Sequence, residues 1–282
     1  MNFNVDSRFQ SLLLIFCLFF LSLLSIFVMQ DYISFIGDKV LSKNALLDFH
    51  FNLVFYWLIG FFLILIPFER NIKSIIIYSY IFRFIFLNTI TIGYLFIYSS
   101  DKGFSVISLD EMFYFLDSIY SSSDKFGYVG SGLVTRINYT LSILFPENYF
   151  LFRSIFGFFS FIGITLIWKA LGEYYSRRFL SLLFILMFFP SLTFWSLNMG
   201  KEPIMLLGLG VYFLGHLRLM RKITIYNLLT FILGLAIIAA IRPWVILIIA
   251  PGIALSLLYD ERIKSSIKLS LVSLIFFEVI PK

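Results

Sequence analysis

Apolar residues run along this chain in long blocks, separated by short polar intervals. Blocks of roughly 17–25 apolar residues are the length that carries a helix across about 30 Å of hydrocarbon. The first, Phe9–Met29, is longer than the core of a cleavable signal and lacks a small-residue cleavage site, so it is expected to remain as an anchor. Phe49–Phe68, Ser74–Tyr98 and Tyr149–Leu171 follow as the second, third and fourth spans. Phe179–Leu197 reads as a fifth, broken or kinked at Pro190. Pro203–Met220 is the sixth, with Pro203 in the first turn, where a helix tolerates it. Leu228–Leu258 would extend about 46 Å as one helix, too long for an ordinary crossing. Arg242-Pro243 falls at its middle and basic clusters flank both ends, so it reads as a hairpin of two short spans. Ile267–Ile280 is a short ninth.

Composition agrees with that pattern. The 282 residues are 60% hydrophobic and include 37 Phe, more apolar surface than a soluble domain of this size can bury. The expected fold class is all-α, a polytopic transmembrane helical bundle of about nine spans with an amphipathic extracytoplasmic loop. A β-barrel would need short alternating segments, and none is visible. The chain divides into a three-span region (1–98), a loop with an acidic motif (99–148) and a C-terminal bundle (149–282), all one integral membrane domain. Cys17 is the single cysteine, so no intrachain disulfide forms, and His50 and His216 have no metal-site spacing.

The net charge of +6 implies no nucleic acid; its distribution is what informs. With a cytoplasmic N-terminus, Arg70, Lys73, Arg177, Arg178, Arg218, Arg221, Lys222 and Arg262 fall on the cytoplasmic side, mostly in short loops. That is the arrangement the positive-inside rule favours. Asp110, Glu111, Arg153, Lys201, Glu202 and Arg242 then gather near the outer face. Nucleotide donors are cytoplasmic, so chemistry on this face needs a lipid-linked or exported substrate.

Two segments could carry chemistry there. From Leu109 onward the pattern is helical, with Asp110, Tyr114 and Asp117 on one face and Met112, Phe115, Leu116 and Ile119 free to rest on the membrane interface. Asp110 and Glu111 read either as a carboxylate base or metal-binding pair, or as a capping box, Ser108-x-x-Glu111, with Asp110 suited to the helix dipole. In the second segment, Pro190 to Pro203, a proline break, serines, Asn198 and Gly200 lead into the sixth span. Free N–H groups at that helix start, beside Lys201, offer a seat for phosphate. The bland alternative is an interfacial turn in which Trp195 joins the aromatic belt and Lys201 pairs with Glu202.

Arg153, Arg242 and the deeper Arg83 read as functional residues facing the bundle interior; the alternative is snorkelling to the interface for Arg153 and Arg242, and a pairing with Glu278 or backbone carbonyls for Arg83. Glycines 157, 163, 208, 210 and 215 read as close-packing positions between helices. Gly127-x-x-Gly130-x-Gly132 follows no strand and reads as a turn, not a phosphate loop. Asn138-Tyr139-Thr140 spells a glycosylation acceptor, meaningful only in a eukaryotic secretory host.

An acidic Asp-Glu motif in the first large external loop precedes Arg153-Ser154-x-x-Gly157, Pro190-Ser191-x-x-Phe194-Trp195-Ser196, Lys201-Glu202 and Arg242-Pro243. From Leu109 to Leu258 this resembles the GT-C superfamily of integral membrane glycosyltransferases, especially bacterial polysaccharide and lipopolysaccharide members. The resemblance implies an inverting transferase in the bacterial plasma membrane. Its donor would be a polyprenyl-phosphate-linked sugar and its acceptor a lipid-linked or cell-surface glycan. It makes Asp110, or Glu111, the base. Arg153, Lys201 and Arg242 would bind the lipid phosphate, with Asn198 beside them. It also admits a divalent cation, Mg or Mn, on Asp110 and Glu111. The acidic motif follows the third span here, where the family commonly has it after the first, and the chain is short for the family. The competing expectations are an O-antigen-type polymerase and a non-enzymatic transporter or flippase subunit. The latter predicts an internal repeat, and none is clear.

Overall fold

The computed structural model describes residues 44–66, 69–97, 105–120, 127–146, 148–175 and 179–259, with isolated positions nearer the N-terminus. Side chains of residues 87–112 fall outside that description. All regular structure among the described residues is helical. In chain order the helices are α1 (Ala45–Leu65), α2 (Arg70–Ile97), α3 (Ser105–Tyr120), α4 (Ser131–Leu144) and α5 (Tyr149–Tyr175). Then come α6 (Leu180–Phe188), α7 (Pro190–Ser196), α8 (Lys201–Arg221), α9 (Ile225–Ile241) and α10 (Pro243–Tyr259).

Residues Leu46–Leu65, Tyr149–Tyr175 and Lys201–Arg221 form helices long and apolar enough to cross a membrane, and α9 and α10 are shorter apolar helices. This is a membrane protein. The first expected span, Phe9–Met29, lies outside the described residues except at isolated positions, and Ile267–Ile280 lies wholly outside them.

Both expected interruptions are present. The fifth segment is two helices meeting at Phe189, where the backbone turns extended (φ −63°, ψ 117°) and Pro190 opens the second. Proline fits a first helical position because its missing N–H has no intrahelical acceptor to lose. The 228–258 block is likewise two helices, broken at Arg242 (φ −144°, ψ 85°) ahead of Pro243. The residue before a proline is pushed out of the helical region by its ring.

Three helices run the same way. Asn148 reaches from the start of α5 to the Asp48 carbonyl at the start of α1, and Ser154 donates to Asn52 one to two turns further along. Gly163 of α5 lies against Leu206 and Leu207 of α8, and Glu173 near the end of α5 meets Arg218 near the end of α8. Helices α1, α5 and α8 therefore start at one face of the bundle and end at the other. Helix α9 returns against α8, with Gly215 touching Phe231 and Gly208 touching Ile237 and Ile238.

Glycines set how closely α5, α8 and α9 approach. A β-carbon on Gly163 would stand 2.3 Å from the Leu206 carbonyl oxygen, and one on Gly210 would stand 2.4 Å from the Gly163 oxygen. The close-packing reading of these glycines holds. Around this spine a continuous core of aromatic and branched residues joins α1, α2, α3, α4 and α5, with Phe49, Phe115, Phe152 and Phe156 fully enclosed. Phe115 corrects one expectation: it stacks edge-on against Tyr149 and Phe152, inside the protein, not at the membrane interface.

Candidate functional site

The end of the bundle where α1, α5 and α8 begin is built from four separate stretches of chain. Helix α8 starts at Lys201 after a turn, Leu197–Gly200, that is itself buried along with Ser196. Leu197 packs on Gly157 of α5, a little over two turns inside the start of α5 at Tyr149. The first turn of α8 thus lies roughly 12 Å inward of the start of α5, by the rise of a helix over about eight residues. Helix α9 ends beside it. Gly130, the residue before α4, has φ of 64° and donates its N–H to the Ala240 carbonyl (2.7 Å), one of the last acceptors of α9. A glycine suits this spot because an L side chain is strained at positive φ.

At this end Arg242 pairs with Glu202. Both side chains are about one-third exposed (31% and 35%), so the pair reaches solvent. Arg242 also lies over the Trp244 ring, 5.8 Å from its centroid. The sequence offered Lys201 as the partner of Glu202, and Glu202 instead bridges forty residues to the turn before α10. Arg242 spends one N–H on Glu202, and a guanidinium has five to offer. Both residues line a cavity of about 420 Å³ between α7, with Phe189 before it, and α8. Its walls are Phe189, Leu192, Trp195, Met205, Leu206 and Leu209, apart from Ser191. The groove is therefore apolar along its walls and carries the Arg242–Glu202 ion pair in its lining.

Arg153 is 5% exposed, so it does not snorkel to open water. It sits two turns before Ser160 on the same face of α5, the face that meets Ser196. Asn198 is buried in the turn beneath the start of α8, and Lys201 is half-buried at that start. Arg153, Asn198, Lys201 and Arg242 thus share one end of the bundle. Within it, Arg153 and Asn198 belong to the interior, while Lys201 and Arg242 stand at the rim.

Asp110 and Glu111 lie on α3, and their side chains fall outside the described residues. The backbone places them about one turn before Tyr114 and Phe115. Phe115 abuts Tyr149, and the Tyr114 hydroxyl lies 3.3 Å from the Ser131 hydroxyl at the start of α4. The acidic motif therefore sits at the same end as Arg242. One expectation is corrected: the helix is already formed at Ser105, so Ser108 is an internal residue and cannot cap it. Glu111 loses the capping role that the sequence offered it. Among the described residues no group of three or more His, Cys, Asp or Glu could hold a metal ion.

Sequence reasoning missed the partners of Arg83. Its Nη1 donates to the hydroxyls of Ser160 and Ser196, both at 3.1 Å. Ser196 stood in the polar segment from Pro190 to Pro203, and the only signal at Ser160 was a hydroxyl inside an apolar block. Asn138 is fully buried, which removes it as a glycosylation acceptor in the folded protein. Compared with known protein families, with curated proteins and with solved structures, the chain has no match in any of the three.

Proposed function

We propose that this chain is a membrane glycosyltransferase. It would move a sugar from a polyprenyl-phosphate-linked donor to a lipid-linked or cell-surface glycan at the extracytoplasmic face of a bacterial plasma membrane, in a bundle of about nine spans with a cytoplasmic N-terminus. The observation that carries this reading is the apolar cavity with Arg242 and Glu202 in its lining. The polyprenyl chain would lie along Leu192, Met205 and Leu209, and its phosphate would take the N–H donors of Arg242 not used by Glu202. Lys201 would add a second cation from the first turn of α8.

In the reaction the acceptor hydroxyl oxygen attacks the anomeric carbon from the face opposite the phosphate. The new C–O bond forms as the bond to the phosphate oxygen breaks, and configuration inverts. Asp110 takes the acceptor proton. The leaving polyprenyl phosphate carries the negative charge away and needs no proton. Charge grows on the phosphate during bond breaking, so fixed cations lower the barrier. A divalent ion on Asp110 and Glu111 would serve as a further Lewis acid, and the transfer as written needs none.

The test is the surface glycan of a host carrying single variants. Asp110→Asn is expected to cut transfer by about 10²–10⁴-fold, and Arg242→Gln by about 10²–10³-fold. Membrane abundance should be unchanged in both. Normal glycan in Asp110→Asn would remove the base, and normal glycan in both variants would remove the enzyme reading.

A further inference from the structure

At the other end of the bundle, where α5 and α8 finish and α9 begins, basic side chains gather at one corner. Glu173 accepts two bonds from Arg218 and lies 4.0 Å from Lys169. Arg221 donates through Nη2 to the Tyr174 carbonyl (3.1 Å), which ties the last turn of α8 to the end of α5. Lys222 closes α8, its N–H bonded to the Arg218 carbonyl, and its ammonium pairs with no carboxylate among the described residues. Against these four cations the three helix ends contribute one carboxylate, Glu173, and Arg218 already holds it. The corner is therefore positive on balance, and Lys169, Arg221 and Lys222 are all exposed.

Hydrocarbon begins where the charge ends. Ile223 and Ile225 are 63% and 71% exposed, and Tyr226 stands beside them. From Ile225 an exposed stripe continues along α9 through Leu229, Ile232 and Leu233, spaced as one face of a helix. The other face of α9 packs on α8 through Phe231 and Gly234. The stripe runs about 12 Å by the rise of a helix, most of the roughly 15 Å depth of one leaflet's hydrocarbon. The Thr224 hydroxyl already caps α9, so the attraction for an anion comes from the side-chain cations. A soluble anion would leave the aliphatic rim unmatched. A zwitterionic headgroup would bring a further cation into a positive corner, whereas an anionic lipid matches both parts.

We propose that this corner binds one anionic phospholipid of the phosphatidylglycerol class. Lys222 holds its phosphate in the field of Lys169 and Arg221, and an acyl chain lies along Ile225, Leu229 and Ile232. The long stems of Lys169 and Lys222 let both ammonium groups meet a phosphate at the membrane surface. The site is separated from Arg242 by the length of α8, and it rests on neither the function nor the orientation proposed above.

The test titrates the full chain in detergent with phosphatidylglycerol or phosphatidylcholine and counts bound lipid by native mass spectrometry. Phosphatidylglycerol should bind near one per chain and about tenfold more tightly than phosphatidylcholine, and the preference should weaken as salt is raised. Lys222→Gln should cut phosphatidylglycerol binding about fivefold, and Lys169→Gln with Lys222→Gln about 25-fold, with phosphatidylcholine binding unchanged. Both side chains are exposed, so the variants leave the core intact. Glycerol 3-phosphate, a phosphate without tails, should not compete. Equal binding of the two lipids would overturn the proposal. Competition by glycerol 3-phosphate would overturn it in favour of a soluble anion. Loss of phosphatidylglycerol in Arg242→Gln but not in Lys222→Gln would overturn it in favour of the groove at the other end.

Discussion

Gly163→Ala adds one carbon where helix α5 meets the α8 backbone. The new β-carbon would stand 2.3 Å from the Leu206 oxygen, 2.4 Å from its carbonyl carbon and 2.6 Å from the Leu207 nitrogen. All three are backbone atoms inside a helix, so no side chain can swing aside. Relief requires α5 and α8 to part by about 1 Å. At that gap each contact across the interface forfeits a quarter to a half of its attraction, about 0.1–0.2 kcal/mol per atom pair at best. The opposing Gly210, itself set against Gly163, would lose its seat as well. Overpacking of this kind costs about 1–3 kcal/mol. For a chain of this length that is a fall in melting temperature of about 3–10 °C. The assay is thermal unfolding in nanodiscs, with Gly252→Ala as the control. Gly252 lies in α10 with nothing within 4 Å of an added β-carbon. There alanine should be neutral or stabilising by up to about 1 kcal/mol, because glycine is the poorer helix former. Equal melting of the two variants would refute the backbone-to-backbone approach of α5 and α8.

Arg218 grips Glu173 with Nε and Nη2 at 2.7 and 2.8 Å, and both side chains remain partly exposed. A double-mutant cycle of Arg218→Lys with Glu173→Gln should return a coupling of about 0.5 kcal/mol, small because solvent screens the pair; a coupling of zero would mean that the fork is not formed in solution. A reporter active only outside the cytoplasm, fused after Lys125, should be active, and activity of its cytoplasmic counterpart instead would reverse the proposed orientation.

What the sequence made readable was local. Proline constrains its own ring and the residue before it, so the breaks at Pro190 and at Arg242-Pro243 could be placed without knowing any neighbour. Small residues in apolar blocks pointed to close helix contacts, and Gly163, Gly210 and Gly215 make them. Pairings across the chain were not readable. Glu202 had an adjacent lysine, yet the return of α9 along α8 delivers Arg242 to it from forty residues away. Ser160 and Ser196 gave no sign that they would hold Arg83, because a serine in a helix is equally at ease bonding its own backbone. Ser160 does that too, lying 2.7 Å from the Gly157 carbonyl. The capping box at Ser108 failed for a related reason: its spacing matched, but helix α3 had begun a turn earlier.

The split at Phe189 bears on how the chain enters the bilayer. Helix α6 has nine residues and α7 has seven, about 13 Å and 10 Å long. Neither reaches across a bilayer core of about 30 Å. The backbone at the break is paired through turns on either side, Phe189 N–H to Ile185 and Thr193 N–H to Phe189, and through the Thr193 hydroxyl, which donates to the Met187 carbonyl. A segment so short is not committed to lipid by its own hydrophobicity, and its bent middle needs protein around it. Its insertion is therefore conditional on α5 before it and α8 after it. Biogenesis of this region is a joint event of several helices, not the sequential release of finished rods.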